Sequence, residues 1–223
     1  MSDLLTLPDT DELAELSVRF ETAPASAVVR WAWERFGRGL VLASSFQDCV
    51  LVDVAVRVVP DIEVLFLDTG FHFPETIDYV EQVRRRYDLN LRVIRPEVGA
   101  EVWPCGTQRC CELRKVLPLA RALEGRQAWM TGVRRADAAT RAEAPVVSFD
   151  DVRGVVKVNP LATWEDRDVI GYASDHGLPE HPLTRHGYLS IGCAPTTLPP
   201  VDPGDPRSGR WAGSDKTECG LHL

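Results

Sequence analysis

Apolar residues follow two alternating patterns along this chain, short unbroken runs and longer stretches at helical spacing. The short runs are Leu40-Val41-Leu42-Ala43, Ile62 to Leu67, Leu91 to Ile94 and Gln127 to Thr131. Runs of this length suit strands buried on both faces. Between them, Val50, Leu51, Val54, Ala55 and Val58 predict a helix, and Phe73-Pro74 opens another with Pro74 at an early helical position. A third follows Cys110 and carries Leu113, Val116, Leu117, Leu119, Ala120 and Leu123 at helical spacing. Residues 10–36 predict one or two helices, with Ser26 as the cap of the second. Val146 to Phe149 and Val155 to Val158 predict a hairpin, and a helix is expected from about Glu165 to His176. From Gly187 onward proline and glycine predict an irregular tail. Strands alternating with helices predict an α/β fold: a doubly wound, mostly parallel sheet with helices on both faces, and ligands at the carboxyl ends of the strands. The expected division is residues 1–186, with N-terminal helices over 1–38, and a C-terminal segment over 187–223.

Composition narrows the function more than the fold. A length of 223 residues fits one α/β domain with an appendage, and 44% hydrophobic and 26% charged residues are ordinary for a globular protein. A net charge of −8 argues against general binding to nucleic acid or membrane surfaces. An anionic substrate would therefore need a local cluster of arginine and lysine. No apolar run approaches the length of a membrane span, and Met1 to Asp11 lacks a signal peptide's basic start, so the expected location is the cytoplasm. There the six cysteines, Cys49, Cys105, Cys110, Cys111, Cys193 and Cys219, are better suited to metal binding or chemistry than to cross-linking.

Cys110 and Cys111 stand together at the start of a predicted helix with Arg114 and Lys115 one turn in. Neighbouring cysteines bridge each other poorly, but both can reach a large, soft, multi-atom partner such as an iron–sulfur cluster. The alternative is a pair of buried apolar cysteines. Leu40 to Ala43 opens into Ser44-Ser45-Phe46-Gln47-Asp48 before the next helix, a strand–turn–helix arrangement that can seat a phosphate or sulfate. Asp68, Thr69, Arg134 and Arg135 fall at the ends of other strands. Cys49 reads as core, and Trp31, Trp33, Trp103, Trp129 and Trp164 as packing. His72, His176, His181 and His186 lack metal-ligand spacing.

The tail carries Ser190-Ile191-Gly192-Cys193-Ala194-Pro195, Arg207…Arg210-Trp211 and Glu218-Cys219-Gly220-Leu221-His222. With the cysteine pair and Arg114-Lys115, these stretches resemble the assimilatory sulfonucleotide reductases, the adenylylsulfate (APS) and phosphoadenylylsulfate (PAPS) reductases. The match runs from about Leu40 to the end. The resemblance implies an adenine nucleotide alpha hydrolase-like fold with a nucleotide-binding catalytic domain. It also implies reduction of APS to sulfite and AMP, with Cys219 as the nucleophile that forms an S-sulfo intermediate. Thioredoxin or a glutaredoxin-like dithiol then releases sulfite. A thiolate is a suitable soft nucleophile, and a second thiol can resolve the product. Substrate contacts are implied for Ser44, Ser45, Asp68, Thr69, Lys115, Arg134, Arg141, Arg207 and Arg210. Arginine forks suit phosphate and sulfate oxygens.

The resemblance further implies a [4Fe–4S] cluster on Cys110, Cys111 and Cys193. Its fourth cysteine position holds Thr196, whose hydroxyl is a poor iron ligand. Three alternatives stay open: three-cysteine ligation with an unusual fourth site, substitution by another residue with Cys105 the candidate, or no cluster. The cysteine pair favours APS, and PAPS is the close rival. Two other classes compete. An ATP pyrophosphatase would need a glycine-rich loop where Ser45-Phe46-Gln47 stands, and an iron–sulfur redox sensor would have no use for Cys219. Nucleic acid and membrane are not expected partners, and homo-oligomerisation is left open.

Overall fold

A computed structural model describes residues 7–97, 99, 102–202, 204–214 and 216–221. The first six residues and His222 of the closing motif therefore lie outside the described residues. Seven α-helices and six strands are found among them: α1 (Thr10–Phe20), α2 (Ala25–Phe36), β1 (Leu40–Ala43), α3 (Val50–Val58), β2 (Val64–Leu67), α4 (Pro74–Tyr87), β3 (Leu91–Ile94), α5 (Gln108–Cys111), α6 (Leu117–Ala122), β4 (Ala128–Thr131), β5 (Val147–Asp150), β6 (Val155–Val158) and α7 (Asp166–Asp175). The strands form one sheet in the order β3-β2-β1-β4-β6-β5. β1 pairs parallel with β4 and β4 with β6, while β5 runs antiparallel to β6 as the predicted hairpin requires.

The chain divides into two compact units that interleave along the sequence. The first comprises Met1–Ala43, Val50–Val64 and Gly125–Gly177; the second comprises Ser44–Cys49, Leu65–Glu124 and Leu178–Leu223.

In the first unit Leu40, Val41, Leu42, Ala128, Trp129 and Met130 are all buried, as unbroken apolar strands demand. α3 is buried along most of its length, Asp53 included. That carboxylate is tolerated because Arg57 and the Tyr172 hydroxyl both donate to it, at 2.5 and 2.7 Å. α7 is held at its start by a capping box of Glu165 and Asp168. Two local expectations change. Pro24, not Ser26, occupies the N-cap position of α2, with no side-chain capping bond, and Ser26 sits inside the helix. β2 begins at Val64, two residues later than the apolar run.

In the second unit the main departure is the cysteine helix. Between α5 and α6, Glu112–Val116 forms a π-helical turn, which holds one residue more than an α-helical turn. The shift in phase buries Arg114 and leaves Leu117 exposed, against the regular apolar face expected there. Cys49 lies just ahead of α3 rather than inside it and is buried; Trp103 is exposed instead of packed.

Candidate active site

Each functional side chain of the second unit is fixed by a local device. After β1, the Ser44 hydroxyl accepts from the Phe46 amide at 3.1 Å, and Phe46 takes a positive φ of 54°. Its ring is fully buried, edge-on to Phe66 with centroids 5.5 Å apart. A large side chain therefore fills the turn where a glycine-rich loop would leave room for pyrophosphate. Ser45 is exposed. Gln47 reaches the tail, donating to the Leu189 carbonyl at 3.4 Å and accepting from the Ile191 amide at 3.0 Å.

Beyond β2, Asp68 accepts from the Gly70 amide at 3.0 Å and pairs with Arg95 at 3.1 Å. Thr69 is buried; its hydroxyl lies 3.5 Å from the Cys193 sulfur, and its carbonyl accepts from Arg114 at 2.5 Å. His72 and Cys193 form an antiparallel bridge, and Ala194 donates to the Phe71 carbonyl at 2.7 Å. Cys193 is thus delivered by backbone pairing against the loop after β2.

The cysteine pair is set by Thr107, whose side chain caps α5 by accepting from the Cys110 amide at 3.2 Å. Thr69, Cys105, Gly106, Cys110, Cys111, Arg114, Lys115, Cys193, Thr196 and Trp211 line one cavity. The tail folds against this wall. Thr197 and Arg210 bridge, and Arg210 donates to the Ser190 hydroxyl at 3.2 Å with its guanidinium 4.6 Å over the Trp211 ring. Lys216 donates to the Cys111 sulfur at 3.0 Å and to the Gly106 carbonyl at 3.1 Å. Arg207 pairs with the buried Glu218 at 3.3 Å and donates to the Thr217 carbonyl at 3.1 Å, which restrains the residue next to Cys219. Cys219 itself is half-buried.

Electrostatics links these groups. Burial is the largest influence and would lower the Lys115 ammonium, as would Arg210, but Cys193, Cys219 and Cys111 together hold the group above its ordinary value. Arg210 is pulled below its usual value by burial and by Arg207, with Cys219 and Cys193 opposing. A hydrogen bond from Cys105, together with Lys115, holds the Cys193 thiol low, while Cys105 is pushed up by the same contact and by burial. These interactions bring Cys193, Cys219, Lys115 and Arg210 within one electrostatic neighbourhood.

No three His, Cys, Asp or Glu side chains among the described residues converge as they would on a single metal ion. Four thiols, those of Cys105, Cys110, Cys111 and Cys193, nevertheless face one cavity, and none is in a disulfide. Soft donors spread around a shared space fit a multi-atom iron–sulfur group better than one ion.

Arg134 and Arg141 belong to the first unit. Arg134 pairs with Asp137 and Asp166, each at 2.8 Å, and Arg141 pairs with Asp137 at 3.2 Å. The sequence passes over Gln47, Gly192 and Lys216 as site residues, although Gln47 lies in the strand–turn–helix stretch and Gly192 within a motif that carries the resemblance; Lys216 stands two residues before the closing motif.

The strands make a mostly parallel α/β sheet, and the second unit carries a cavity walled by thiols and cations. The model of the phosphoadenosine phosphosulfate reductase domain matches residues 39–199, and the chain belongs to that family. It is 47% identical to an adenosine 5'-phosphosulfate reductase from Mycobacteroides abscessus, over 100% of this chain and 99% of that protein. Among solved structures, a phosphoadenylyl-sulfate reductase from Candida auris in a phosphate complex is 27% identical with a TM-score of 0.75, covering 86% of this chain and 98% of that one. A Candida glabrata FMN adenylyltransferase, 15% identical with a TM-score of 0.62, covers 88% and 70% and shares the fold alone. No helix among the described residues is long and apolar enough to cross a membrane.

Proposed function

We propose that this enzyme reduces adenylylsulfate to sulfite and AMP through covalent catalysis by Cys219. The Cys219 sulfur attacks the sulfur of the sulfonucleotide. An S–S bond forms while the bond from that sulfur to the phosphate oxygen breaks, and AMP leaves with the electron pair. A dithiol reductant of the thioredoxin or glutaredoxin type then attacks the Cys219 sulfur and expels sulfite. Its second thiol resolves the mixed disulfide, so the dithiol loses the two electrons that the sulfur gains.

The observation that carries this reading is the placement of Cys219: Arg207 grips Thr217 and Glu218 just before it, and Arg207 and Arg210 both stand over Trp211, which lines the same cavity as Lys115. These cations supply the local positive charge that an acidic chain needs to hold a sulfonucleotide. Lys115 and Arg210 would bind sulfate or phosphate oxygens, with Arg207 holding the tail through Glu218. Ser44, Ser45, Asp68 and Thr69 would seat the nucleotide; Arg134 and Arg141, the other implied contacts, are engaged by Asp137 and Asp166 of their own unit. Cys110, Cys111 and Cys193 would hold the iron–sulfur cluster. When bound, that group would supply iron–thiolate bonds to these side chains and a soft, redox-capable centre. The bulk of Phe46 speaks against an ATP pyrophosphatase.

PAPS is the second reading, favoured by the Candida auris likeness, and 47% identity to an APS reductase weighs against it. Incubation with each nucleotide, followed by intact-mass measurement, tests both. APS adds one SO3 group, lost in Cys219→Ser and removed by a dithiol with release of sulfite. Absence of the adduct, or its formation on another side chain, overturns the proposal. A faster reaction with PAPS selects the rival substrate.

A further inference from the structure

We propose that Cys105 is the fourth thiolate of the iron–sulfur site and replaces the cysteine whose position Thr196 occupies. The inference rests on the cluster reading above. Its starting point is a mismatch: three cysteines fit the site, while Thr196 offers a hydroxyl where soft iron prefers sulfur.

The fold brings a thiol to the same corner from elsewhere. The Cys105 sulfur lies 3.9 Å from the Thr196 hydroxyl, although the residues are 91 positions apart in sequence. Cys105 lines the cavity together with Cys110, Cys111 and Cys193. It is half-buried and free, so neither core packing nor a disulfide accounts for it.

The surrounding loop is built for this approach. Gly106 has a φ of +93°, a conformation that favours glycine, and a Cβ there would stand 2.7 Å from the Thr196 methyl carbon. Only a glycine lets the backbone beside Cys105 press this closely on Thr196. Thr107, next in sequence, caps the helix that bears Cys110 and Cys111. Lys216 clasps the arrangement, donating both to the Gly106 carbonyl and to the Cys111 sulfur. The loss of a ligand from one segment is thereby met by a ligand from another.

Anaerobic purification of the full chain and of Cys105→Ala, with iron and acid-labile sulfide analysis, visible absorbance and EPR, tests the assignment. The unaltered protein is expected to hold about four irons and four sulfides per chain. Cys105→Ala should lose iron, yielding a three-iron EPR signal or an apoprotein. Thr196→Cys on the Cys105→Ala background should restore the iron and the spectrum. Full iron and an unchanged spectrum in Cys105→Ala would overturn the role of Cys105 and leave the cluster reading standing. If Cys105→Ala folds poorly, the double variant decides: recovered iron supports the assignment and unrecovered iron overturns it. An unaltered protein without iron, even after anaerobic reconstitution, overturns the cluster reading itself.

Discussion

Two groups of arginines in this chain live under opposite conditions. In the first unit Arg134 meets Asp137 and Asp166, and Arg141 shares Asp137. Burial lowers Arg134, but the two carboxylates outweigh it and hold the guanidinium above its ordinary value. In the second unit Arg210 has a serine hydroxyl and an indole face, its Nε is buried without a hydrogen bond, and Arg207 acts against its charge while Cys219, Cys193 and Glu218 favour it. A charge answered by carboxylates stabilises the fold. A buried charge answered chiefly by neutral groups is held at a cost, and an anionic ligand would repay it.

The contrast can be broken by experiment. Arg210→Ala should lower kcat/KM for the sulfonucleotide by roughly 10²–10³-fold while leaving the thermal midpoint unchanged or raised. Unaltered kinetics would end the distinction between the two groups. The same unit buries His181, a cation that can escape its charge. Its Nδ1 accepts from the Leu183 amide at 3.2 Å, so the neutral ring carries its proton on Nε2 and donates to Thr76 at 3.0 Å. Burial drives its pKa from 6.5 to about 4, against the opposing pull of Glu75. Between these values the unfolded chain binds a proton that the folded ring refuses. Stability should therefore be unaffected above pH 6.5 and decline on acidification, by on the order of 3 kcal/mol at pH 4. Chemical denaturation across this range measures it, and His181→Gln should flatten that part of the profile.

Arg134→Ala sharpens the comparison from the other side. It should cost about 2 kcal/mol of stability, because two carboxylates lose a partner, and change KM less than tenfold. A larger change in KM would assign Arg134 to the substrate. The smallest effect is expected from Gly192→Ala. A Cβ at this position would overlap the Arg210 guanidinium, so displacement of that side chain should reduce kcat/KM about tenfold, with KM bearing most of the change.

Most strands were legible because burial on both faces leaves an apolar run, as in Leu40 to Ala43 and Ala128 to Thr131; β3 forms where its run predicts but is not buried, with Arg92 and Val93 exposed. Helix α7 and the β5–β6 hairpin announced themselves by polar punctuation. The cysteine helix did not, since a π turn depends on what its side chains pack against, and Arg114 is buried beneath Phe71 at 4.3 Å. Cys110, Cys111, Cys193 and Cys219 could be picked out by motif. The approach of Cys105 to Thr196 and the grip of Lys216 on Cys111 are long-range contacts that no local pattern encodes. Gly192 stands in a quoted motif, yet its purpose emerges only when Arg210 is seen against it.

The π turn at Glu112–Val116 has one more consequence. A π turn uses about one residue more than an α turn for nearly the same rotation, so the extra residue is taken up as a local bulge. Deleting one residue here would let the segment close into a regular α-helix, with Cys110 and Cys111 kept in phase with α6 but Arg114 and Lys115, which the bulge carries, presented differently. A deletion inside this turn should therefore act on those two cations rather than on the cysteines ahead of them.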